Sequence, residues 1–131
     1  MRQDVWEAIQ SFAAPGRIAF RELDESTSIL VPLESGSPIV FTDMGDSVSM
    51  RTGLDLNVLV DYEEDSAVAT VKEVISALTD GHAVERLRAS YRDRLTPCGY
   101  KVEYPSGNMQ ERDTERTTRQ YTVRLPVWNA G

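Results

Sequence analysis

Between residues 54 and 62 every second side chain is apolar: Leu54, Leu56, Val58, Val60 and Tyr62. Asp55, Asn57 and Asp61 fall between them, so the segment reads as a strand with one dry and one wet face. Shorter runs precede it. Residues 17–23 carry Ile18 and Phe20, then Ile29, Val31 and Leu33 alternate, Ile39-Val40-Phe41 follows, and Val48 and Met50 alternate beyond. Turn chemistry separates them: Asp24-Glu25-Ser26-Thr27, Glu34-Ser35-Gly36-Ser37-Pro38 and Asp43-Met44-Gly45-Asp46. Such tight connections predict antiparallel pairing, because parallel strands need long crossovers. Tyr100, Val102 and Tyr104 predict a further strand, as do Tyr121, Val123, Leu125 and Val127.

The pattern changes to helical spacing in three places. Val5, Trp6, Ile9, Phe12 and Ala13 mark a helix over residues 4–14, stopped by Pro15-Gly16, with Asp4 and Glu7 spaced as a capping box. Val68, Val71, Ile75 and Leu78 form one stripe of a second helix, capped by Asp65 or Ser66 and ended by Asp80-Gly81. Val84, Leu87, Tyr91 and Leu95 recur at helical spacing over residues 82–96, among good helix formers; a strand there would alternate Ala83, Glu85, Leu87 and Ala89. The helix is the reading adopted. Residues 105–118 offer a single apolar side chain, Met109, and are expected to form a mobile loop. The sum is one α+β domain spanning residues 1–131. It has a single antiparallel sheet of about six or seven strands, with an N-terminal helix and one or two central helices on one face.

Composition adds a charge layout. The chain of 131 residues has a net charge of −7, unevenly spread. Residues 1–83 hold 15 acidic and 5 basic side chains; residues 84–131 hold 6 acidic and 9 basic. The acidic half repels phosphate backbones, so nucleic-acid binding is disfavoured. No apolar run approaches a membrane span, and the N-terminus has no signal-peptide core. With a single cysteine, Cys98, these features place the expected location in the cytoplasm.

Candidate chemistry is thin. One His and one Cys build no zinc cluster, and no phosphate loop, nucleophile elbow or metalloprotease motif occurs. No metal or cofactor is expected. His82 and Cys98 could form a nucleophilic pair only by meeting in space, and Asp43 and Asp46 read as turn residues before cation ligands. Every acidic residue is expected to be exposed. Arg86, Arg88, Arg92 and Arg94 beside Tyr91 and Tyr100 could clamp single-stranded nucleic acid, though Glu85 and Asp93 interrupt them.

The absent catalytic constellation and the acidic half favour a non-enzymatic protein-binding module with a basic partner. The expected contact residues are Asp55, Asp61, Glu63, Glu64 and Asp65, from the polar side of one strand and the turn after it, and Trp128 as an anchor near the end of the last strand. A small acidic chain built on an antiparallel sheet is similar in outline to secretion chaperones and to some immunity proteins of bacterial toxin systems, in topology and charge. The alternatives are a small enzyme or ligand binder using carboxylates in a sheet–helix cleft, and a weak nucleic-acid binder acting through residues 86–94.

Overall fold

The computed structural model describes residues 2–63, 66–89, 95–107, 109–113 and 120–128. The chain opens with helix α1 (Gln3–Gln10) and then builds a five-stranded meander from β1 (Ile18–Glu22), β2 (Thr27–Pro32), β3 (Ile39–Asp43), β4 (Ser47–Thr52) and β5 (Leu56–Asp61). Each strand pairs antiparallel with the next, in the order β1-β2-β3-β4-β5. Helix α2 (Ala67–Thr79) follows. A second sheet comes from β6 (Ala83–Ala89), β7 (Leu95–Glu103), β8 (Met109–Asp113) and β9 (Gln120–Arg124), in the order β8-β7-β6-β9.

The single sheet of six or seven strands expected above is therefore corrected to two antiparallel sheets, of five and four strands. Two segments account for the difference. Residues 83–89 form β6 and not a helix. Ala83, Glu85 and Leu87 are buried while Val84, Arg86 and Arg88 are less so, which is strand parity. The expected loop contains β8, an edge strand whose exposed Met109, Glu111 and Arg112 need no apolar alternation. Residues 90–94 and 114–119, where the helix and loop expectations continue, lie outside the described residues.

The core forms where the first sheet meets the helices. Leu30, Ile39, Phe41, Val48, Met50, Leu56, Val58 and Val60 line its inner face. Val5, Ala8 and Ile9 of α1 and Val71, Val74, Ile75 and Leu78 of α2 cover it. The expected contact between the β5 stripe and the α2 stripe is present, with Val68 at its half-buried margin. Helix α1 ends at Gln10, short of the expected residue 14, and Trp6 meets Phe20 edge-on with ring centroids 5.3 Å apart. The second sheet joins this core through Ala83, Tyr100 and Val102. Beyond β9 the chain turns back: the Trp128 N–H donates to the Thr79 carbonyl (2.8 Å), and the Trp128 ring covers Gly36 so closely that a Cβ there would collide with it.

Candidate site between the two sheets

The β4–β5 connection, Thr52-Gly53-Leu54-Asp55, leans against the second sheet. Gly53 adopts φ +64°, which aims the next two backbone N–H groups outward from the turn. Glu85 of β6 receives both. Its Oε1 accepts the Leu54 N–H (2.9 Å), and its Oε2 accepts the Asp55 N–H (2.8 Å). Glu85 is only 4% exposed. A buried carboxylate needs such donors, and successive backbone N–H groups form a natural anion cradle. A Cβ at position 53 would run into this carboxylate, so any other residue there would have to displace it. Two further bonds hold the frame: Thr52 Oγ1 donates to the Pro38 carbonyl (2.9 Å), and the Tyr100 hydroxyl donates to the Asn57 carbonyl (2.6 Å). Burial pushes the Tyr100 phenol above its ordinary range, so it stays a donor.

Beside this lock lies a cleft of about 590 Å³. Pro38, Val40 and Leu54 wall it on the first sheet, and Leu87, Val123 and Leu125 on the second. Leu54 is 69% and Val123 49% exposed, so a ligand that covers them gains from burying their apolar surface. Arg51, Asp55 and Arg124 also line it, and the Arg124 guanidinium donates to the Gly81 carbonyl (2.6 Å).

The residues singled out from the sequence do not assemble in one place. Asp55 reaches the cleft, with its side chain exposed. Asp61 lies at the other end of β5, roughly 20 Å away at about 3.3 Å per residue. Its Oδ1 accepts the Glu63 N–H (2.9 Å), a turn contact. The β3–β4 turn stands beside them, since Asp61 is opposite Ser47 and the Tyr62 hydroxyl donates to Asp43 Oδ1 (3.0 Å). Asp43, Asp46, Asp61 and Glu63 thus share one acidic end of the first sheet. Asp43 also accepts the Gly45 N–H (3.0 Å), the role expected of a turn residue. Glu64 and Asp65 lie outside the described residues. Trp128 is 5% exposed, packed on Gly36 instead of facing a partner.

Compared with protein-family models, curated proteins and solved structures, the chain matches none. His82 pairs with Glu103 at one end of the β6–β7 ladder, while Cys98 sits at the register shift opposite Arg86 and Leu87, roughly 13–16 Å along. They form no nucleophilic pair. Arg86 Nη1 contacts Glu111 Oε1 at 2.6 Å across the second sheet, and Arg92 and Arg94 lie outside the described residues. Among the described residues no three His, Cys, Asp or Glu side chains converge as metal ligands.

Glu85 corrects the expectation that every acidic residue is exposed. The sequence held a signal for it: a glutamate at the inward parity between Ala83 and Leu87. That signal becomes legible only once the segment is known to be a strand.

Proposed function

We propose that this chain is a non-enzymatic protein-binding module for a basic partner, the class to which immunity proteins, inhibitors and secretion chaperones belong. One observation carries the reading. The carboxylate buried beside the cleft is engaged by two backbone N–H groups, and the rest of the lining combines apolar wall with the side chains of Arg51, Asp55 and Arg124. A general acid or base needs a carboxylate with a proton to exchange, and Glu85 is committed to the fold. The apolar wall suits contact with side chains of another protein. The acidic end contributes at a distance, by raising the encounter rate with a cationic surface.

The test is selection from a random dodecapeptide library displayed on phage. The expected consensus pairs large apolar residues with Lys or Arg and is lost with Leu54→Asp. Reversing Asp61 and Glu63 to Lys should slow association several-fold and flatten its salt dependence, leaving dissociation nearly unchanged. An absent consensus, or one indifferent to Leu54→Asp, removes the cleft from consideration. A second reading rests on size: about 590 Å³ lies within the range of small-molecule pockets. Apolar fragments that shift the amide resonances of Leu54, Leu87 and Val123, with no peptide recovered, would favour it.

A further inference from the structure

A strand at the edge of a sheet leaves backbone groups that no neighbour takes, and charged residues there discourage other chains from pairing. Among the described residues, three of the four sheet edges carry charge or an engaged backbone group. β1 carries Arg21 and Glu22, and β8 carries Glu111 and Arg112 side by side. On β5 the Tyr100 hydroxyl takes the Asn57 carbonyl and Asp61 closes the strand. β9 is different. It presents Tyr121, Thr122 and Val123 in a row, Tyr121 48% and Val123 49% exposed, with no Pro, Gly or register shift. Its one cationic side chain, Arg124, is turned toward the Gly81 carbonyl.

The ladder parity says which groups β9 leaves open. The Leu125 N–H donates to the Ala83 carbonyl (2.9 Å), so odd-numbered residues of this strand bond to β6. Thr122 and Arg124 have the opposite parity and aim both N–H and C=O away from β6. No described residue takes them. This same edge borders the cleft, whose lining includes Val123 and Arg124.

We infer that the cleft receives an extended segment of the partner, added to β9 as a fifth strand, with alternate apolar side chains inserted between the sheets. The inference rests on the protein-binding reading and specifies the partner's conformation. The open edge and the apolar wall together select this occupant. A small apolar molecule would use the wall and ignore the edge, and a helix has no backbone groups to offer it. An extended segment uses both: main-chain hydrogen bonds hold it, and side chains of one parity read the wall. The run from Tyr121 to Arg124 accommodates about four residues of an added strand.

The probes are the dodecapeptides recovered from the phage library. Each is synthesised plain and with N-methyl groups on alternate backbone amides, in both phases, and binding is read by fluorescence anisotropy. One phase of methylation is expected to weaken binding at least tenfold and the other to leave it unchanged. Thr122→Pro deletes an outward donor that β6 does not use, and is expected to cost at least tenfold in affinity with circular dichroism unaltered. If that variant fails to fold, the two methylation phases on the wild-type protein decide by themselves. Equal binding in both phases, or unchanged binding by folded Thr122→Pro, overturns strand addition and leaves peptide capture by the cleft standing. A library that returns no peptide overturns the protein-binding reading and this inference together.

Discussion

A methyl group at position 53 would strike the Glu85 carboxylate, in a backbone conformation of φ +64° that L-residues rarely adopt. Gly53→Ala is therefore expected to lose about 1–3 kcal/mol from backbone strain alone, with the displaced carboxylate adding to it. Glu85→Ala removes the acceptor from two N–H groups at once and is expected to cost roughly 2–4 kcal/mol. Glu85→Gln keeps one acceptor oxygen and is expected to fall between that variant and the wild type. Urea midpoints of the three variants check the ordering. A Glu85→Ala midpoint equal to the wild type would mean that the turn does not depend on this carboxylate.

At the scale of elements, α2 and β5 carry the core. Ile75 is fully buried between them, and Ile75→Ala is expected to destabilise by about 2–5 kcal/mol, read as a shift of the denaturant midpoint. Both elements were legible in the sequence because each buries a single face. Leu56, Val58 and Val60 alternate at a period of two, and Val71, Ile75 and Leu78 recur at the helical period. The second sheet was harder to read for two physical reasons. In β6 the inward parity contains a glutamate, whose burial depends on a turn thirty residues earlier in the chain. Without that partner in view, the apolar residues left over fit a helix better. In β8 the strand is an edge held by backbone bonds to β7, which hydropathy does not register. The candidate site inherits both gaps. The sequence pattern counted Leu54 and Asp55 into the strand, whereas β5 starts at Leu56 and both lie in the turn before it; β6 and β9 also had to be placed before a cleft existed.

At the scale of the whole molecule, stability above neutral pH is tied to half-buried phenols. Burial, followed by the nearby Tyr100 and the Glu73 carboxylate, pushes Tyr104 up to about 12, against an ordinary phenol near 10. Burial, followed by the hydrogen bond to Asp43, also raises Tyr62. In the unfolded chain these groups release protons from about pH 10, while the folded chain still holds them. Their contribution is complete below pH 10 and declines toward pH 12. Melting temperatures are expected to fall across that window, and Tyr104→Phe to make the fall shallower. A wild-type melting temperature that stays level from pH 9.5 to 11.5 would contradict this.

The tail that places Trp128 on Gly36 also bears on the order in which the molecule assembles. Each strand of the first sheet finds its partner in the neighbouring stretch of chain, whereas β9 must pass the β7–β8 hairpin to reach β6, and Trp128 must return almost to the start of β3. Distant contacts carry the larger entropic barrier and close later. Refolding is therefore expected to proceed from meander to clasp, and the cleft to be the last part of the surface to take shape. Trp6→Phe leaves Trp128 as the sole tryptophan. In a stopped-flow experiment its burial should trail the far-ultraviolet signal of the sheets, and simultaneous arrival would show that the two halves condense together.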